Sequence, residues 1–172
     1  FECRAEPVPW MEAFGGSLHV KPAPSAQEAE AGVAMVQQMA ATGELTVQEA
    51  ASMLPAIALA PEPGDLVLDM CSAPGSKTCQ LLDMMNAAAS SSPTGLLIAN
   101  DLKAERVERV WSRAKSLPST QLVVTVGDAA TFPKLTARGF DRILADVPCS
   151  SDGTVRKDPG RLKRWSVNSA LK

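Results

Sequence analysis

A short apolar run ending in an acid, Leu66-Val67-Leu68-Asp69, passes at once into Met70-Cys71-Ser72-Ala73-Pro74-Gly75-Ser76-Lys77 and then into a helical pattern. A buried strand that turns through a few small residues into a helix is the opening unit of an open α/β sheet, and few other folds accept it. A second marker, Asp146-Val147-Pro148-Cys149, closes another expected strand, at 140–147. Both markers then fall at the carboxyl ends of strands, where open α/β sheets carry their ligands.

The intervening chain repeats the unit. The pattern predicts strands at 66–70, 96–100, 122–126 and 140–147, with helices at 75–86 and about 103–116 between them. Strand–helix–strand alternation implies a mostly parallel sheet with right-handed crossovers and helices on both faces. After the fourth strand only one more short helix can be read, so the sheet is expected to stop there incomplete. Upstream, residues 1 to about 26 are rich in Pro, Gly and Ala and read as loop. A helix is expected at about 26–39, with Val33, Val36 and Met39 at helical spacing. Thr46 and Glu49 form a capping-box pattern for a second helix, which Pro55 should interrupt or kink. Residues 61–64 are a turn, and 87–95, all small residues, read as a mobile loop. The division expected is an N-terminal loop and helical segment over 1–60, then an incomplete α/β domain over 61–172.

A chain of 172 residues has room for about one domain with a core. No apolar run approaches the roughly 20 residues that cross a bilayer, and no signal-peptide pattern follows Phe1. Beginning at Phe1, the chain reads as an excised piece of a longer protein. Cys3, Cys71, Cys79 and Cys149 lie too far apart for a disulfide framework, and with His19 alone to help they make no zinc pattern. No metal is expected, and the cysteines fit a reducing compartment, the nucleus or cytoplasm. The net charge of −2 is unevenly placed: Arg156, Lys157, Arg161, Lys163, Arg164 and Lys172 make a basic tail against the single acid Asp158.

Four readings compete for the loop at 71–77. A phosphate loop needs an upstream glycine and an uninterrupted Gly-Lys-Ser/Thr, and here Ser76 separates Gly75 from Lys77. A dinucleotide fingerprint needs three glycines where this loop has one. A ligand-free strand-to-helix turn stays open. So does S-adenosylmethionine, which has no pyrophosphate and needs only a close backbone approach that one glycine and small neighbours permit. Asp101 ends the second strand, where an acid accepts both ribose hydroxyls, and Asp128 follows the third, placed to accept from an adenine amino group. Either alone could be a helix cap or a solvated turn residue. Three acids, Asp101, Asp128 and Asp146, closing three successive strands beside one glycine loop favour the cofactor.

The two stretches Asp69-Met70-Cys71-Ser72-Ala73-Pro74-Gly75-Ser76-Lys77-Thr78 and Asp146-Val147-Pro148-Cys149-Ser150-Ser151-Asp152-Gly153-Thr154 resemble the signature motifs of the Sun/Fmu-type RNA cytosine-5 methyltransferases. Ile98-Ala99-Asn100-Asp101 and Arg156-Lys157 are similar too, notably to the eukaryotic tRNA-modifying branch, and the resemblance covers about residues 45–168. It implies a Rossmann-like class I methyltransferase fold, S-adenosyl-L-methionine as cofactor and RNA, tRNA above all, as partner. It also implies that Cys71, Ser72, Ala73, Pro74, Gly75, Ser76 and Lys77, with Asp101, Asp128 and Asp146, hold the cofactor, and that Lys77 and Asp146 border the target cytosine. The family's chemistry is covalent: a thiolate adds to C6, C5 takes the methyl group, a base removes the C5 proton and the thiol departs. The base must be unstacked to react.

The resemblance breaks at one point. The family carries a Pro-Cys and a later Thr-Cys; the second is the usual nucleophile and the first assists release. Cys149 supplies the Pro-Cys, no Thr-Cys precedes Lys172, and the nucleophile is expected beyond it. The catalytic set implied is therefore Cys149, Asp146 and Lys77, and the isolated chain is expected not to turn over. Cys79 reads as core packing. Competing with this are a methyltransferase of DNA or of a small molecule, and a non-catalytic module that holds RNA or a protein.

Overall fold

The structure, a computed structural model, describes residues 5–7, 18–20, 25–42, 44–87, 94–117, 119–134, 138–150, 152–155 and 158–167. In chain order its elements are β1 (Ala5–Pro7), β2 (Leu18–Val20), α1 (Ala26–Thr42), α2 (Ala50–Leu59), β3 (Leu66–Asp69), α3 (Ser76–Ala87), β4 (Leu96–Asp101), α4 (Ala104–Ala114), β5 (Leu122–Val126), β6 (Arg142–Leu144) and α5 (Gly160–Arg164).

Four strands form one sheet in the order β5-β4-β3-β6, every pair parallel. The chain therefore steps outward from β3 to β4 to β5, then returns to the other flank of β3. That reversal makes the gap between the carboxyl ends of β3 and β6 the switch point, where an open α/β sheet has its crevice. Asp69 is in register with Leu144, so the segments that follow them leave the sheet side by side.

The core explains the strands' sequence. Val67, Leu97 and Leu144 meet Leu81, Leu82, Met84 and Met85 of α3 and Ala56 of α2 in one buried cluster. On α3 the spacing of Leu81, Met84 and Met85 keeps one stripe turned inward. α2 packs on α3 and β6, α3 on α4, and α4 on β4 and β5. Strand alternation turns Val123 and Ile143 to the opposite sheet face, where they are about half exposed. At the amino ends of the strands, Arg142 joins Asp65 at 3.1 Å and the Leu59 carbonyl at 3.3 Å, and Asp141 accepts from the Leu66 amide at 2.8 Å.

The structure departs from the sequence reading in four places. Within 1–26, read as loop, β1 and β2 pair antiparallel with Ala5 opposite Val20; three-residue strands are too short to leave a period-two pattern. The capping box does not form. α2 starts at Ala50 with Glu49 in the cap position and no side-chain cap bond, while Gln48 reaches to the Ser52 carbonyl and to Gln80 of α3 at 3.0 Å. Pro55 does not interrupt α2, which runs to Leu59 and ends at Ala60 in the left-handed region. Pro55 and Ala51 are exposed, so water can take the carbonyl that the proline leaves unbonded. The fourth strand is three residues long rather than spanning 140–147. Beyond Leu144 the chain turns outward: Asp146 goes to Lys77, and Pro148 has no amide to extend a ladder. Most of the loop predicted at 87–95, with Cys3, Arg156, Lys157 and Lys172, lies outside the described residues.

Candidate functional site

The turn after β3 is built by backbone bonds and held from outside. The Gly75 amide donates to the Ser72 carbonyl at 2.7 Å, and the Ser72 amide donates to the Asn100 carbonyl at 2.8 Å. Gly75 has φ +99°, and a Cβ there would stand 3.1 Å from the Val110 Cα of α4, so glycine is required twice over. The Ala73–Pro74 peptide bond is cis. From α4, Arg106 donates to the Ala73 carbonyl at 3.3 Å and Arg113 donates to the Ser76 hydroxyl.

A buried amide ties the strand ends together. Asn100 donates to the Met70 carbonyl at 3.1 Å and to the Gly127 carbonyl at 2.9 Å, and accepts from the Thr125 hydroxyl at 3.0 Å. The segments that follow β3 and β5, which carry the loop and Asp128, are thus fixed to one side chain of β4, next to Asp101.

At the switch point lies a cleft of about 140 Å³, walled by Asp69, the loop residues Cys71–Pro74, Ser76 and Lys77, with Ser52 of α2 and Asp146. The Lys77 ammonium lies 2.6 Å from Asp146 Oδ2. Asp69 is 1% exposed. Its Oδ2 accepts from the Thr78 hydroxyl at 2.7 Å, but its Oδ1 and the buried Ser72 hydroxyl have no hydrogen-bond partner. Burial pushes the Asp69 carboxyl up to about 6, against the opposing pull of Thr78 and Lys77. The Cys71 thiol is raised by burial and by the carboxylates of Asp101 and Asp69, and burial drives Cys79 up to about 11.

Of the site residues read from the sequence, Cys71, Ser72, Ala73, Pro74, Ser76, Lys77 and Asp146 come together on the cleft wall, with Gly75 buried beneath. Asp101 is buried behind the loop: Oδ2 accepts from the Ala73 amide and pairs with Arg106, both at 3.3 Å. Asp128 is exposed, and its Oδ1 caps a 3-10 turn by accepting from the Ala130 amide at 3.0 Å; the helix-cap reading describes its place. Cys149 is exposed, beyond the cleft wall. Asp69, Ser52, Asn100 and Arg106 were not singled out. Asp69 stands inside the loop motif and could have been; a serine on a small-residue helix and an arginine on a charged one give no sign. Among the described residues no group of three His, Cys, Asp or Glu side chains is placed to hold a metal ion.

Residues 56–168 match the family model of the 16S rRNA methyltransferase RsmB/F. The chain is 42% identical over 141 residues to the multisite-specific tRNA:(cytosine-C(5))-methyltransferase of Saccharomyces cerevisiae, covering 76% of this chain and 20% of that protein. It is also 42% identical over 165 residues to the ribosomal RNA small subunit methyltransferase F of Shewanella loihica, covering 93% of this chain and 31% of that one. The chain spans less than a third of either relative's length. A crystal structure of a methyltransferase homolog protein from Pyrococcus horikoshii superposes with a TM-score of 0.65 at 28% identity, over 94% of this chain and 47% of that chain.

Proposed function

Because the chain belongs to the 16S rRNA methyltransferase RsmB/F family, we propose that it carries the cofactor- and base-binding half of an RNA (cytosine-5) methyltransferase, acting in the nucleus or cytoplasm with tRNA as its substrate class. The fold is that of the class I methyltransferases and the cofactor is S-adenosyl-L-methionine. The residues fit that cofactor: a glycine-floored loop allows close backbone approach, and Asp69 and Ser72, both on the cleft wall, each carry a buried polar atom without a hydrogen-bond partner, Oδ1 and Oγ. The loop 71–77, Asp101, Asp128 and Asp146 would hold it. Bound there, it supplies an electrophilic methyl group.

The chain's own groups divide the remaining work. A cytosine edge presents an amino donor beside acceptors at N3 and O2. Asp146 accepts from the amino group and steadies a proton on N3, while Lys77 donates to an acceptor. The two already form one donor–acceptor pair at 2.6 Å, and a base entering the cleft exchanges that contact for two of its own. Among the described thiols, Cys71 is disfavoured as thiolate by burial and nearby carboxylates, and Cys79 by burial. Cys149, exposed on the Pro-Cys turn three residues beyond Asp146, serves the departure of the enzyme's thiol from C6, with a second cysteine as the attacking nucleophile.

The observation that carries this reading is the Lys77–Asp146 pair standing in the switch-point cleft beside the glycine loop. Calorimetry of S-adenosylhomocysteine tests its cofactor half. Asp101→Ala should weaken binding by about 1–3 kcal/mol, roughly five- to 150-fold in Kd. Unchanged affinity would reject the assignment.

A further inference from the structure

The short helix α5 ends on a large aromatic side chain that faces water. Trp165 takes extended backbone as the helix stops, with φ −65° and ψ 137°, and it is 53% exposed. Leu162, three positions earlier on the helix, is 67% exposed, so an apolar strip runs along the outside of this element. The strip is set among cations. Arg161, Lys163 and Arg164 all lie on α5, and the acid beside them is Asp158, whose Oδ2 meets Arg164 at 2.6 Å and Arg161 at 3.7 Å. Three positive charges stand against that one carboxylate, and Lys163 is exposed. The surface around Trp165 is therefore net positive.

One bond fixes where this surface stands. Arg161 donates to the Ser150 carbonyl at 3.2 Å, the residue after Cys149, so α5 is tied to the segment that leads from Asp146 out of the switch-point cleft. Trp111, which is also exposed, keeps different company. It shares a groove with Val107, Glu108, Ser112 and Val124 of β5, the strand at the opposite end of the sheet from β6.

A cytosine that leaves its stack to react strips one face from each neighbouring base. An enzyme lowers that cost by offering an aromatic face in place of the missing base, and every nucleobase has a face to stack. Cations around the aromatic ring suit the phosphates that come with it. An indole with Lys163 and two arginines at its side, tethered next to the Pro-Cys turn, meets both needs.

We propose that Trp165 is a base-stacking residue for the RNA substrate. It takes the face of a nucleotide that flanks the target cytosine, while Lys163 meets the phosphate of the same strand. The inference rests on the RNA reading above and adds to it the element that holds the substrate beside the cleft.

The test uses the full-length protein with labelled S-adenosylmethionine and whichever of unmodified tRNA and ribosomal RNA the wild type methylates. Trp165→Leu keeps an apolar side chain and removes the aromatic face; Trp165→Phe keeps a face. Trp165→Leu should raise KM for the RNA at least about fivefold, with S-adenosylhomocysteine affinity in calorimetry and the melting temperature unchanged. Trp165→Phe and the control Trp111→Leu should both stay within about twofold of wild type. Equal effects of Trp165→Leu and Trp165→Phe, or no effect of either while the wild type forms 5-methylcytidine, overturn the stacking role and leave the RNA reading intact. A Trp165→Leu protein that is unfolded, melts well below wild type or loses S-adenosylhomocysteine affinity makes the indole a packing residue and overturns the proposal. Failure of the wild type to bind or methylate either RNA overturns the RNA reading and this inference with it.

Discussion

The Lys77 ammonium lies 2.6 Å from the Asp146 carboxylate, although 69 positions separate the two in sequence. Parallel pairing of β3 and β6 brings them together, because Asp69 stands level with Leu144 and both following segments emerge on the same edge. Asp146 is 56% exposed, and an ion pair so open to water adds little to stability. Lys77→Met should therefore shift the melting temperature by no more than about 2 °C. A loss far beyond that in thermal denaturation would make the pair a structural clamp.

Asn100 is a different case, since its side chain is fully buried and bonds both to the segment after β3, at Met70, and to the end of β5, at Thr125 and Gly127. Asn100→Ala leaves the Met70 and Gly127 carbonyls without their donor and opens a small void. The expected cost is about 2–4 kcal/mol in urea denaturation, with cofactor affinity falling as the loop and Asp101 lose their common anchor. A cost below about 1 kcal/mol would show that the strand ends hold their places without it.

Asp69 makes a prediction about pH. Its folded-state pKa is raised from 3.8 to about 6, chiefly by burial, so between those values the folded protein binds more protons than the unfolded chain. Its contribution to stability is fully present below about pH 4 and is lost as pH rises through 6, by roughly 3 kcal/mol in all. Asp69→Asn should remove that slope: the ligand-free variant gains on wild type between pH 4 and 6 and keeps the advantage at pH 7. Parallel stability curves for the two proteins across that window would contradict the assignment. An acid that costs stability where it stands is what a binding site retains and a core does not.

How much of this was legible in the sequence follows from where tertiary contacts decide. β3 and β4 could be read because strands buried on both faces are continuous apolar runs, and the loop because Gly75 must adopt φ +99° against α4. The meeting of Lys77 with Asp146 was implied by the family resemblance alone; the strand order that produces it, with β6 beside β3, is a tertiary fact no local pattern carries. Ser52 could not be read, because its place on the cleft wall depends on Gln48 and the Met53 carbonyl binding Gln80 across α2 and α3. Asp128 could be placed on the right edge with two readings open, ligand contact or cap, and only the exposed position and the bond from the Ala130 amide show the cap formed. The end of β6 was overestimated for a like reason: apolar residues continue past Leu144, while the backbone has already turned toward α3.

The short helix α5 carries Arg161, Lys163 and Arg164, but the three are not equivalent. Arg161 donates to the Ser150 carbonyl at 3.2 Å, next to Cys149, so changing it disturbs the Pro-Cys segment as well as the charge. Arg164 is held by Asp158 at 2.6 Å, and Lys163 is exposed. The double change Lys163→Glu with Arg164→Glu should weaken RNA binding and lower the slope of log K against log salt by roughly one to two units. An unaltered slope would leave this face as a solvated surface.

The cleft's function is tested most directly by finding where the methyl group goes. RNA, supplied as unmodified tRNA and as ribosomal RNA, is incubated with the purified full-length protein and methyl-labelled S-adenosylmethionine, then digested to nucleosides for mass spectrometry. Label is expected in 5-methylcytidine, in the tRNA sample, and is expected to fall at least a hundredfold in Lys77→Met and in Asp146→Ala while both variants remain folded. Label in rRNA alone would move the substrate and keep the site. Label in a different nucleoside, or full transfer by both variants, would contradict the assignment of the switch-point cleft.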